Sequence, residues 1–198
     1  KGRPIILSTG MATLNDVKKA LSVIRPLNKS VVLLQCSANY PVADDEVNLR
    51  VLDTYRKHFG ILVGYSDHTS GLGASPYAVA AGARVIEKHL TLDKNLPGPD
   101  HKASLDPLEF KDLVVEIRKV ERFLGSADKG LTSSEVANRK ALQKCLVAAV
   151  PICRGDIFTL TNMIGKRTGG AGISVSDYEK LIGKKVKRDY AKDDIIQK

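Results

Sequence analysis

His68 and His89 stand 21 positions apart, His68 just past one short apolar run and His89 near the end of the next. If those runs are neighbouring parallel strands, spaced about 4.8 Å apart, the two imidazoles can share one divalent cation. Ordinary hydrogen bonding at a strand end is the competing use of the same pair. Asp67 and Glu87 precede them and supply acceptors, either as ligands or as partners that orient the rings. The segment Gly64-Tyr65-Ser66-Asp67-His68-Thr69 carries hydroxyls and a carboxylate to one strand end. Gly71 and Gly73 follow, with backbone N–H groups that suit an anion nest or a plain loop. The turn LPGPDHK at 96–102 presents a carboxylate, an imidazole and an amine; it can simply reverse the chain, or Asp100 can accept from sugar hydroxyls.

The elements that must position these groups are short. Apolar runs fall at 4–8, 31–36, 61–65 and 84–90, each followed by helical spacing or turns. Thr13 and Asp16 predict a capping box before Val17, Ala20, Leu21 and Ile24. Asp44, Asp45 and Glu46 load the start of a helix whose apolar face uses Val47, Val51, Leu52 and Tyr55. A compact small-residue helix is expected over 75–83. Asp106 then caps a helix with Pro107 in its first position, and a stripe of Phe110, Leu113, Val114, Ile117, Val120 and Leu124 ends at Gly125. Alternating strands and helices at this spacing imply a parallel sheet of βα units. Polar residues cluster where each strand ends: Ser8-Thr9-Gly10, Gln35-Cys36-Ser37, Ser66-Asp67-His68 and Glu87-Lys88-His89. A barrel and an open doubly wound sheet both place ligands at that edge, so the clustering alone fits either.

The 198 residues are 43% hydrophobic and 27% charged, which excludes a largely disordered or collagen-like chain. No apolar run reaches the length of a membrane-spanning helix, and no secretory leader is apparent. A first residue of Lys1 rather than Met gives the expectation of a fragment or a processed product. Three cysteines, Cys36, Cys145 and Cys153, cannot all pair within one chain; they read as reduced thiols in a cytoplasmic protein, with Cys36 a small buried hydrophobe. Net charge is +9 but uneven: residues 1–138 carry 18 basic and 16 acidic side chains, and residues 139–198 carry 13 and 6. The basic run Lys184, Lys185, Lys187, Arg188 has no aromatic platform beside it, so a solvated strand face is expected there rather than a nucleic-acid groove. Composition turns polar after residue 125, predicting a linker over 126–139 with a short helical start. Short β-like runs broken by turns then predict a small β-rich domain over 140–198.

Several motifs stand in order: STGM at 8–11, QCSANYP at 35–41, VNLR at 47–50, GYSDHT at 64–69, IEKHLTLDKNLPGPDHKASL at 86–105 and KRTGGAGIS at 166–174. Together they closely resemble the sialic acid synthase family, the N-acetylneuraminate synthases and their relatives for other nonulosonic acids. The resemblance implies an α/β fold: the second half of a (β/α)8 TIM barrel over 1–125, strands five to eight, followed by a small antifreeze-like (SAF) domain. It implies condensation of phosphoenolpyruvate with an N-acylated mannosamine-type sugar, giving a nonulosonic acid and phosphate. By the same resemblance His68 and His89 hold a divalent metal, most simply Mn²⁺, with Mg²⁺ or Co²⁺ as alternatives. Ser8 and Ser66 match positions that contact phosphoenolpyruvate. Tyr40, Glu87 and Asp100 match positions around the sugar, with Glu87 also placed for proton transfer. Arg167 matches an arginine that reaches the sugar's N-acyl group in the partner's barrel, which implies a domain-swapped homodimer.

Two positions depart from the family pattern. Ala38 stands where some members have Asn, with Asn39 one place later; Thr168 stands where proline is common, predicting a less rigid loop. The polypeptide alone is expected to be inactive. Two other readings stay open: a non-catalytic module holding an anionic glycan or a partner, and another phosphoenolpyruvate–aldehyde condensing barrel, against which the SAF-like tail argues. Nucleic acid and membrane are not expected partners.

Overall fold

Four strands rich in Ile, Leu and Val organise the first part of the chain in the computed structural model, which describes residues 2–197. They are β1 (Ile5–Ser8), β2 (Val31–Cys36), β3 (Leu62–Asp67) and β4 (Ile86–Lys88), all parallel and hydrogen-bonded in the order β1-β2-β3-β4. Helices α1 (Leu14–Ile24), α2 (Val51–Phe59) and α3 (Ser75–Ala80) make the crossovers. The strand order never reverses, so these strands form no topological switch-point crevice, and the shared carboxyl-end rim is where a ligand site can be built.

Period-two alternation sorts the strand residues into two faces. Val31 and Leu33 of β2 and Val63 and Tyr65 of β3 pack with Val17 and Leu21 of α1, Leu52 and Tyr55 of α2 and Ala78 of α3 in one core. The opposite face runs through Ser8, Cys36, Ser66 and Glu87. Cys36 pairs with Ser66 and Ser66 with Glu87, so the polar positions line up across the sheet.

Local signals place most helix ends. Thr13 accepts from the Asp16 N–H while Asp16 accepts from the Thr13 N–H, closing the expected capping box. The acidic triplet behaves differently. Asp44–Glu46 is an isolated 3-10 turn, and α2 begins only at Val51, because Asn48 takes a left-handed φ of 53° that no continuing helix accommodates. The third helix stops at Ala80, shorter than expected, just before Gly82 with φ 95°. Helix α4 (Pro107–Leu124) is capped by Asp106 with Glu109 reciprocating, and it packs on α3. Of its apolar stripe Leu113 is buried and Phe110, Ile117 and Val120 are half-buried, whereas Val114 and Leu124 are exposed.

The contacts divide the chain into two units, Lys1–Ala127 and Asp128–Lys198. The second opens with helix α5 (Ser133–Leu142), capped by Thr132 and Glu135, where the polar composition reads as linker. Strands β5 (Lys144–Ala148) and β6 (Met163–Arg167) pair antiparallel. Isolated bridges, Ile157 to Lys185, Ile152 to Tyr190 and Val147 to Ile195, take the place of further strands. Its own core joins Leu146, Ile152, Phe158, Met163, Val186, Tyr190 and Ile196.

Candidate active site

The ends of β3 and β4 carry the densest group of ionisable and aromatic side chains in the first unit. Asp67 pairs with Lys88 in register, so His68 and His89 leave their strands at the same level. Their ring centroids lie 5.2 Å apart at an interplanar angle of 82°. Tyr40, from the segment after β2, packs against both: 5.1 Å from His68 and 4.5 Å from His89.

His68 Nδ1 lies 3.0 Å from the Ser37 carbonyl oxygen. A carbonyl only accepts, so Nδ1 carries the proton and Nε2 keeps its lone pair in the neutral ring. This is the arrangement expected of a metal-ligating histidine. His89 Nδ1 lies 3.8 Å from the Asp100 carboxylate. With about 2.1 Å from metal to nitrogen, two rings sharing an ion at roughly 90–120° have centres about 4.5–5.5 Å apart. The observed spacing fits. Among the described residues no group of three or more His, Cys, Asp or Glu is arranged to hold a metal. Two imidazoles alone would leave most of a coordination sphere to water and substrate oxygens.

Ser66 Oγ donates to Glu87 Oε1 at 2.6 Å. Ser66 is buried and Glu87 exposed, so the pair fixes a carboxylate that still faces the open side of the sheet. The Tyr40 hydroxyl lies 3.3 Å from Ser104 Oγ, which donates to the Asp100 carbonyl at 2.8 Å. Burial pushes the Tyr40 phenol above its usual value, partly offset by the Ser104 contact, so it stays protonated near neutrality. A cavity of about 390 Å³ opens beside His89, lined by Gly98, Asp100, His101 and Ser104 among others. His101, the imidazole of the 96–102 turn, thus lines the cavity. Thr91 Oγ1 donates its proton to the Asp93 carbonyl and therefore accepts from His101 Nδ1 at 2.7 Å, which fixes that ring as well.

Asp67 does not join the histidines. It points to the helix side of the sheet, fully buried, where Oδ1 accepts from the Thr69 N–H and hydroxyl and Oδ2 accepts from the Ser75 N–H and hydroxyl. The alternation Ser66-Asp67-His68 contains that signal. Just after the glycine loop the Ala74 N–H donates to Thr69 Oγ1 at 2.9 Å and the Ser75 N–H to Asp67, so these two donors are already used. Asn39 donates to Glu46 Oε2 at 3.1 Å and does not stand in for Ala38. Cys36 is buried, with Sγ 4.0 Å from His68 Nδ1.

Ser8 stands apart from this group within the first unit, and Arg167 belongs to the second unit. Ser8 is exposed at the end of β1, opposite Leu34. Arg167 is exposed at the end of β6 in the second unit. The loop after it is tied down despite the missing proline, since Thr168 Oγ1 donates to the Ala171 carbonyl at 2.5 Å.

Parallel strands in sequential order, with ionisable groups at the carboxyl rim and a small β-rich unit following in the sequence, define an α/β unit with an appended domain. The NeuB family model matches residues 1–129 and the SAF domain model residues 143–198. The chain belongs to the NeuB family, the sialic acid synthases and their nonulosonic acid relatives. It is 43% identical over 198 residues to the N,N'-diacetyllegionaminic acid synthase of Campylobacter jejuni, covering 98% of this chain and 59% of that one. It is equally 43% identical to the human N-acetylneuraminate-9-phosphate synthase, covering 99% and 55%. Among solved structures, the N-acetylneuraminic acid synthetase of Leptospira borgpetersenii, in complex with citrate, superposes with a TM-score of 0.64 at 33% identity, covering 70% of this chain and 50% of that one. The spore coat polysaccharide biosynthesis protein SpsE of Bacillus subtilis gives 0.59 at 34%, covering 98% and 60%. The chain thus spans between 50% and 60% of the length of these relatives. Its first unit is an α/β fold with a parallel half-barrel sheet, and its second matches a SAF domain. No helix among the described residues is long and apolar enough to cross a membrane.

Proposed function

We propose that this chain is the carboxyl-terminal part of a synthase that condenses phosphoenolpyruvate with an N-acylated mannosamine-type sugar, releasing phosphate and a nonulosonic acid. In this reading β1 to β4 are strands five to eight of a (β/α)8 barrel. The observation that carries it is the convergence of His68 and His89 at one rim, 5.2 Å apart, with His68 Nδ1 anchored and Nε2 left available.

His68 and His89 would hold the divalent ion, Mn²⁺ first and Mg²⁺ or Co²⁺ as replacements, which supplies Lewis acidity toward the open-chain sugar aldehyde. Carbon–carbon bond formation joins C3 of phosphoenolpyruvate to that aldehyde; water adds at C2, and phosphate leaves with C–O cleavage. Glu87, steadied by Ser66, is placed to accept or return a proton at the reacting centre. Ser66 and Ser8 offer hydroxyls to phosphoenolpyruvate. Tyr40 and Asp100 flank His89 and offer a donor and an acceptor to sugar hydroxyls. Arg167 would reach the sugar's N-acyl group from a partner subunit, making the working enzyme a domain-swapped homodimer. Three unpaired thiols suit a cytoplasmic setting.

The test is phosphate release from phosphoenolpyruvate with N-acetylmannosamine and its relatives in the presence of Mn²⁺. The chain is assayed alone and with a complementary half-barrel supplied from a relative. Turnover is expected only with the complement, and lost in His68→Ala and His89→Ala. Metal-dependent turnover that survives both substitutions overturns the reading.

A further inference from the structure

The second unit carries an excess of positive charge, part of it gathered in the run 184–188. Residues 139–198 contain 13 basic and 6 acidic side chains, and the structure accounts for each acid. Asp156 accepts from the Cys153 N–H at 2.8 Å, Asp189 from the Arg154 N–H at 2.6 Å and Asp194 from the Ala191 N–H at 2.8 Å. Asp193 pairs with Lys166, and Glu179 accepts from the Tyr178 hydroxyl. Asp177 pairs with Lys180 at 2.6 Å.

Asp177 is also the one acid lining a cavity of about 660 Å³ whose wall carries Lys184, Lys185, Lys187 and Arg188. Phe158, Leu181 and Tyr190 give the same cavity an apolar base. The wall is held in place by its backbone. The Phe158 N–H donates to the Lys184 carbonyl at 3.0 Å, the Val186 N–H to the Asp156 carbonyl at 2.7 Å and the Tyr190 N–H to the Ile152 carbonyl at 2.9 Å. Val186 is buried between the two exposed lysines that flank it. The Arg188 guanidinium lies 4.8 Å above the Tyr190 ring, which orients it as well.

Lys184, Lys185, Lys187 and Arg188 around one cavity, with Lys180 paired to Asp177, repel one another, and a ligand with two or more negative charges relieves that repulsion. The apolar base calls for a carbon skeleton beside those charges. The volume lies within the range of about 300–1,000 Å³ usual for small-molecule sites. A nucleic-acid strand is the poorer fit, because Phe158 and Tyr190 are only 6% and 7% exposed and offer no face for stacking bases. We propose that this cavity is a binding site for a small organic phosphate ester, with its phosphate on the Lys184–Arg188 wall and its carbon skeleton against Leu181. The cavity is lined by residues of the second unit, and the proposal does not depend on the reaction proposed for the histidine pair.

Calorimetric titration of the full chain at about 0.15 M salt, where screening is already strong, tests the site. The probes are a hexosamine 6-phosphate, a nucleoside monophosphate, inorganic pyrophosphate and a short RNA. At least one ester is expected to bind about tenfold or more tighter than pyrophosphate, and which one binds identifies the source of the ligand. A Lys184→Gln, Lys185→Gln, Lys187→Gln triple variant should weaken that binding by about tenfold or more, the scale of one charge-assisted contact, with an unchanged melting temperature. Ser66→Ala should leave it unaffected. No ester binding, equal binding of pyrophosphate, tighter binding of RNA, or full binding by the triple variant each overturns the proposal.

Discussion

Lys88 Nζ lies 3.4 Å from Asp67 Oδ1, with both side chains withdrawn from solvent. The two residues are register partners at the ends of β3 and β4, and each immediately precedes a histidine of the candidate site. Lys88 also donates to the Thr69 carbonyl, so one ammonium group holds the Asp67 side chain before His68 and the Thr69 backbone after it. Burial pushes the Lys88 ammonium below its usual value, and Asp67 opposes that shift. Removing one partner of a buried pair leaves an uncompensated charge. Lys88→Met is therefore expected to cost about 3–5 kcal/mol in urea unfolding. Adding Asp67→Asn should recover part of the loss, since it removes the orphan charge and keeps one oxygen for the Thr69 N–H and hydroxyl, although the Ser75 N–H then loses its acceptor. A Lys88→Met chain within 1 kcal/mol of the parent would show that the pair does not hold the rim together.

What could be read from the sequence was whatever depends on near neighbours. The Thr13–Asp16 and Asp106–Glu109 caps span three residues each and appear as expected. His68 falls just past one short apolar run and His89 near the end of the next, and the runs are strands. The Lys88–Asp67 pair was hidden because it depends on the register between strands about twenty residues apart, which no local pattern encodes. The late start of α2 turns on the left-handed Asn48, a choice made by the loop rather than by helix propensity. The basic cavity was equally hidden. The run 184–188 reads as a solvated face until Asp156 and Asp189 are seen to spend their carboxylates on backbone N–H groups.

Gly64 sits in the middle of β3, and a Cβ there would come within 2.4 Å of both Leu34 Cδ2 and the Val85 carbonyl oxygen. The leucine end can rotate, but the carbonyl belongs to the chain leading into β4 and cannot give way without moving it. Gly64→Ala is expected to destabilise by about 1–3 kcal/mol through overpacking, read as a lower melting temperature. An alanine variant that melts with the parent would contradict the close approach.

Tyr40 contributes a ring to both histidines and a hydroxyl to Ser104. If the ring's packing is what orients the imidazoles, Tyr40→Ala should lose about 10–100-fold in Mn²⁺ affinity, the usual cost of losing a group that supports the ligands. Tyr40→Phe keeps the ring and should change it far less. Mn²⁺ titration followed by electron paramagnetic resonance separates the two variants without any need for turnover. Equal affinities in Tyr40→Ala and the parent would assign the ring to the sugar instead.

Glu109 joins the α4 cap to the loop that carries Asp100 and His101. Its carboxylate accepts from Lys94 Nζ at 2.6 Å and from the Asp106 N–H at 2.9 Å. Those contacts, Lys94 first, hold the Glu109 carboxyl below its ordinary value of 4.5. A carboxyl with a lowered folded-state value binds fewer protons folded than unfolded as pH falls through that window. Its stabilisation is therefore complete above 4.5 and is lost as pH drops through the lower, folded value. Acidification below 4.5 should accordingly release Lys94 and speed amide exchange in residues 92–102 before the strands β1 to β4 lose protection. Glu109→Gln, which cannot accept the same ion pair, should show the faster exchange already at neutral pH and little further change on acidification. Identical exchange in the parent and the glutamine variant at pH 7 would mean that the loop is held by Thr91, His101 and Ser104 alone.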